Sequence, residues 1–161
     1  MAIFLAVTCS TADVQGECPT VPKDGSRQAN MLAEGRQQAV FPILFPCKLP
    51  NSQALTAVSV VGDSGRQSVT ITWDGPFQIT VRQSQLAPVV NADPAGASHS
   101  VIRNLFPGTD ADLIEINDGS SHAIYHLVWA RSGMYYEVLV AGPPQQRKVV
   151  LDIALSLSEL A

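Results

Sequence analysis

The fold is read from Ser121-His122-Ala123-Ile124-Tyr125-His126-Leu127-Val128-Trp129-Ala130-Arg131-Ser132-Gly133-Met134-Tyr135-Tyr136-Glu137-Val138-Leu139-Val140-Ala141, with Gly142-Pro143-Pro144 behind it. Two strand-like runs, 121–130 and 134–141, flank Arg131-Ser132-Gly133, a connection short enough to make them a hairpin. Gly142-Pro143-Pro144 then leads into a closing helix expected over 144–160, with Pro144 near its first helical position. Val150, Ile153, Ala154, Leu157 and Leu160 share one stripe of that helix, and Lys148, Asp152, Ser156 and Glu159 lie opposite. A helix of this pattern buries its stripe across one face of a sheet.

Upstream, β-branched residues dominate 55–61 and 68–73. In the second run Val69, Ile71 and Trp73 alternate with Ser68, Thr70 and Thr72, so one face is buried and the other wet. Asp74-Gly75-Pro76 turns the chain into 77–83, where Phe77, Ile79 and Val81 alternate with Gln78, Thr80 and Arg82. These runs form an antiparallel meander. Ser26 caps a helix expected to about Gln38, with Gly35 as an unfavourable interior residue. Pro42, Pro46 and Pro50 cannot donate to a ladder, so 40–49 is an edge strand or an extended crossing. Pro88, Pro94 and Pro107 break the pattern over 86–110, which reads as a long connection holding one helical turn near 100–105. A strand resumes at 112–116, before the Asn117-Asp118-Gly119 turn. The expected architecture is α+β: an antiparallel sheet of about six strands, with an N-terminal and a C-terminal helix packed on one face. The other face is open or lined by Thr, Gln and Tyr. A polar lead, 1–25, precedes a single domain over 26–161.

Composition bounds the function. The chain has 161 residues, enough for one self-sufficient core, and 46% of them are hydrophobic, too many for disorder. A net charge of −4, with Lys and Arg scattered, excludes a nucleic-acid footprint. No run approaches the roughly 20 apolar residues of a membrane span. Membrane contact is therefore expected only through an N-terminal anchor. Ala2-Ile3-Phe4-Leu5-Ala6-Val7-Thr8 before Cys9 reads equally as an export remnant, with Cys9 as a lipidation candidate, or as a buried or paired strand. Cys9, Cys18 and Cys47 do not have zinc-site spacing. Cys18 and Cys47 are the disulfide candidates, because Cys18 sits in a Gly-Glu-Cys-Pro loop where a free thiol would be exposed. Buried thiols are the alternative.

Phe41-Pro42-Ile43-Leu44-Phe45-Pro46, Leu49-Pro50, Leu55-Thr56-Ala57-Val58-Ser59-Val60 and Val69-Thr70-Ile71-Thr72-Trp73 occur in that order. Val128-Trp129, Gly133, Tyr136, Val138 and Ile153-Ala154 with Ser156-Leu157 follow. Over about 37–157 this succession resembles the bacterial domain of unknown function 4367. The resemblance implies a place outside the cytoplasmic membrane, in regulator-like or lipoprotein-like proteins, and no shared catalytic residues.

Gly62-Asp63-Ser64-Gly65 is similar to the nucleophile segment of trypsin-like proteases, but it lies between two strands with no general base upstream, so it is read as a turn. His122 and His126 are expected on one strand face, too far apart to share a metal, and His99 is expected in a loop. Asp110, Asp112, Glu115 and Asp118 offer oxygens for calcium, yet Asp112 and Glu115 would point to opposite faces, which favours solvated turn charges. Trp129, Tyr135, Tyr136 and Trp73 are the candidate ligand-binding residues, or else core. No catalytic residue, metal or cofactor is expected. The leading expectation is a non-enzymatic extracytoplasmic domain that binds a protein, peptide or envelope ligand, with a sensory or regulatory role. A lipid or apolar small-molecule module is the second, favoured by a large pocket beside 86–110. A small hydrolase is the third, requiring Ser64 or an Asp near a histidine.

Overall fold

The computed structural model describes residues 18–88, 96–117, 119 and 121–159; Cys9 and Asp118 lie outside them. Helix α1 (Arg27–Gln38) begins where the Ala29 amide donates to Ser26 Oγ at 3.1 Å. Strands β1 (Leu44–Pro46), β2 (Ala54–Val61), β3 (Ser68–Asp74), β4 (Gln78–Ser84), β5 (Ala97–Phe106), β6 (Thr109–Ile116), β7 (Ala123–Arg131) and β8 (Met134–Gly142) follow, then α2 (Arg147–Leu155) and β9 (Leu157–Glu159). The main sheet has seven antiparallel strands in the order β2-β3-β4-β8-β7-β6-β5, and β1 pairs with β9 in a small second sheet. Each half is a meander, and β4 and β8 join the halves at the centre.

Pleating sorts the strand residues between two faces. The helix-side row Ser100, Leu113, Leu127, Val138, Val81, Ile71 and Val58 crosses all seven strands in register. The next row, on the opposite face, is Val101, Asp112, Val128, Glu137, Arg82, Thr70 and Ser59. Leu32 of α1 and Val150, Ile153 and Ala154 of α2 join the buried strand residues in one core, so both helices lie on one face.

Gly35 is a requirement of this packing. A Cβ there would sit 2.6 Å from Cγ1 of Val58, so the residue that disfavours the helix also lets α1 lie close on β2.

Three expectations are corrected. First, the helical turn near 100–105 is part of β5, so the connection from β4 is far shorter than 86–110 and the sheet gains a strand. Asn104 takes φ 49° at a register shift between Ile102 and Phe106, which breaks the alternation expected of a strand. Second, α2 spans nine residues and starts at Arg147, because Gln145 takes φ 68° and helical geometry begins only beyond it. Third, the chain leaves α2 at Ser156, whose hydroxyl donates to the Ile153 carbonyl at 2.9 Å, and β9 then pairs with β1. The closing segment 157–159 is thus a strand and not helix.

Two glutamines tie the 38–46 crossing to the sheet. Gln83, 1% exposed, accepts from the Leu44 amide at 3.0 Å and donates to the Leu44 carbonyl at 2.9 Å. Gln67, 5% exposed, accepts from the Val40 amide at 2.7 Å and donates to the Gln38 carbonyl at 2.9 Å. Each glutamine amide thus closes a two-bond clamp, accepting from one backbone amide of the crossing and donating to one carbonyl. No helix among the described residues is long and apolar enough to cross a membrane.

Candidate functional site

Cys18 and Cys47 are joined in a disulfide, with Cα atoms 4.7 Å apart, as the lead loop suggested. The Thr20 hydroxyl donates to the Pro46 carbonyl, so the lead is fastened beside β1 by two links. A groove of about 560 Å³ opens there between Pro19, Lys23, Gln28, Asn51, Gln53 and Trp73. Trp73 is 2% exposed and meets Phe45 edge-on at 5.4 Å, so it forms the groove's floor and presents little surface to it.

Two of the other aromatic candidates, Trp129 and Tyr136, meet on the same helix-side face, further along the sheet on β7 and β8. Trp129 stacks on Tyr136, with ring centroids 5.4 Å apart and planes 14° apart, and lies 5.8 Å from Phe106. The Arg131 guanidinium sits over Phe106 at 5.4 Å and closes the stack. Burial pushes the Tyr136 phenol pKa up. Tyr135, one residue along β8, faces the other way and is half-buried. A groove of about 450 Å³ runs beside it, lined by Thr109, Asp110, Asp112, Val128, Trp129 and Tyr135, with Pro88 at its margin. Asp110 is held below the usual carboxylate range, first by the hydrogen bond it accepts from the Asn104 amide at 2.9 Å and then by Arg103. An ionised carboxylate therefore stays in a groove that Tyr135 also lines.

The face away from the two helices holds a polar group at its centre. Glu137 on β8 accepts from Arg82 on β4 at 3.2 Å and pairs with His126 Nε2 on β7 at 2.9 Å. Arg82 also donates to Ser68 Oγ at 2.9 Å. The strand pattern left Glu137 unremarked. A single carboxylate in an otherwise apolar run, in phase with the wet face, is the signal that marks it.

The remaining motifs resolve separately. Ser64 lies in the β2–β3 turn, where the Arg66 amide donates to the Asp63 carbonyl at 2.9 Å. Strands β4 and β8 intervene between β3 and His126 on β7, a spacing of about 14 Å at the usual strand separation. No Ser64–His126 pair can form across that distance. His126 is flanked in register by Ile114 and Leu139, which bring no hydroxyl. His122 precedes β7, contrary to its expected place on the strand, and His99 lies on β5 and not in a loop. Asp112 and Glu115 do take opposite faces, and Glu115 pairs with Arg147 of α2 at 3.4 Å. No group of three His, Cys, Asp or Glu side chains among the described residues could hold a metal.

No protein-family model matches the chain, and neither curated proteins nor solved structures give a match.

Proposed function

We propose that the protein is a non-enzymatic, extracytoplasmic binding domain whose ligand is a protein or peptide segment of the envelope, in a sensory or regulatory role. The observation that carries the reading is the groove at the β5–β6 turn, where the Tyr135 side chain shares a sheet face with Asp112 and Asp110 lines the same groove. A tyrosine ring beside two carboxylates suits a basic peptide, whose aliphatic stems pack on the ring while the cation pairs with the acid. The Cys18–Cys47 bridge supports the compartment, because disulfides persist in oxidising surroundings. The resemblance to the domain of unknown function 4367 implies the same place.

The filled interior favours this reading over a lipid module: Leu127, Val138, Val140, Leu113 and Ile153 are fully buried around the sheet centre. The space beside the β5–β6 turn is an open groove with polar and apolar walls, unlike the enclosed apolar cavity a lipid tail requires. The test is an amide-shift titration of the oxidised protein with short Lys- and Arg-bearing peptides and, separately, with a fatty acid. Peptide-induced shifts at Thr109, Asp112, Ala130 and Tyr135, lost in a Tyr135→Ala, Asp112→Asn variant, are the expected result. Shifts at Leu127 and Val150 with the fatty acid alone would replace it with the lipid reading.

A further inference from the structure

Among the described residues the two edges of the main sheet are β2 and β5, and they are finished differently. Helix α1 packs closely against β2, which also carries a register shift between Leu55 and Ala57. On β5 the register shift comes late, between Ile102 and Phe106, so residues 97–102 form a regular edge. That segment reads Ala-Ser-His-Ser-Val-Ile, with no proline and no Lys, Arg, Asp or Glu. Charges, prolines and bulges are the devices by which edges avoid pairing, and here none interrupts the segment. Val101 in its middle is 48% exposed.

A second observation concerns the helix-side row, which is apolar through Leu113, Leu127, Val138, Val81, Ile71 and Val58 and ends at Ser100 on the edge. The Ser100 hydroxyl is buried and has no hydrogen-bond partner among the described residues. A buried hydroxyl without a partner is unfavourable by an amount comparable to a lost hydrogen bond, and a turn about the Ser100 χ1 would bring it to the edge, where a polar group from beyond could meet it.

We propose that β5 pairs antiparallel with β5 of a second copy of this chain, about a two-fold axis through Ser100 and normal to the sheet. In this register Ser100 opposes Ser100 of the other copy, His99 opposes Val101, and Ser98 opposes Ile102. Opposed residues point to the same face, so the helix sides of both copies coincide and the sheets join into one. Directly opposed Cβ atoms lie about 5 Å apart, close enough for the two serine hydroxyls to bond each other. One symmetric contact thus pairs the edge backbone and supplies the missing partner. With so few residues on each side, the interface belongs to the small, reversible class.

The register makes a sharp test. In a Cys9→Ser background, Ser100→Cys places two thiols opposite each other at a Cα separation that suits a disulfide, whereas Ser98→Cys faces Ile102. Mild oxidation should give a covalent dimer with the first variant and little with the second. Sedimentation of the unmodified protein from about 5 to about 500 µM should show reversible dimerisation, weakened about tenfold or more by the edge charge of Val101→Lys. Amide exchange at 97–102 should slow as the protein concentration rises. A monomer throughout this range overturns the proposal, whether its β5 amides exchange quickly or are protected by the chain itself. So does a dimer indifferent to Val101→Lys that gives no Ser100→Cys cross-link.

Discussion

The two faces of the central sheet are built from the same strands and differ only by which alternate residue is read. Leu113, Leu127, Val138, Val81 and Ile71 run along the covered face and are all fully buried, whereas their neighbours Asp112, Val128, Glu137, Arg82 and Thr70 run along the open one. The covered row is held by close packing under two helices, and the open row by hydrogen bonds in contact with water. Stability should therefore be concentrated on the covered face, while the open face should tolerate change.

The largest effect expected is for Leu127→Ala, which empties a fully buried site at the sheet centre and should destabilise by about 4 kcal/mol in urea unfolding. A loss below about 1 kcal/mol would show that the covered face relaxes freely and would break the contrast. Replacing Cys18 and Cys47 together by Ser opens a crosslink between residues 29 positions apart and should cost about 3.5 kcal/mol, or as much on reduction of the native protein. Gln83→Leu, also on the covered face, should cost about 2 kcal/mol, because the Leu44 amide and carbonyl lose both partners. Faster amide exchange confined to 40–46 would identify the cause.

The open face should answer weakly. Glu137→Gln removes the charge shared by Arg82 and His126, yet the Arg82 side chain is 40% exposed, so about 1 kcal/mol or less is expected. A larger loss would mean that this polar group holds the sheet together. Asp110 should give the smallest effect, and one visible only in acid. Its folded pKa is depressed, so its contribution is present above the ordinary carboxylate value and is lost as pH falls through the folded one. The Asn104 amide shift, followed by NMR as pH is lowered, should move with that titration, and Asp110→Asn should abolish the movement.

Much of the covered face was legible because alternation in 68–73 and 77–83 reports burial directly. The capping Ser26 likewise marked the start of α1. The Gln83 clamp was present in the same pattern, since Gln83 follows Ile79 and Val81 in phase and a buried amide there needs a partner. Strand β5 was hidden for a physical reason: its left-handed Asn104 resets the period, and periodicity was the only signal available for it. Strand β9 was hidden because it pairs only with β1, more than a hundred residues earlier, and its sequence continues a helical stripe. Of the candidate site, Cys18–Cys47 was recoverable from exposure arguments. The Tyr135 groove was not, because it depends on the β5–β6 turn, which the sequence presented as part of a loose connection.

The disulfide also sets how the molecule bears tension. A pull applied at Cys18 crosses the sulfur bridge to Cys47 and bypasses the covalent path through α1, which carries none of it. Cys47 is in turn one hydrogen bond from the closing segment, its amide donating to the Ser156 carbonyl at 3.1 Å. The two ends of the described chain therefore converge on one mechanical anchor, and stretching the oxidised protein should load that anchor while leaving the helix-covered core at rest.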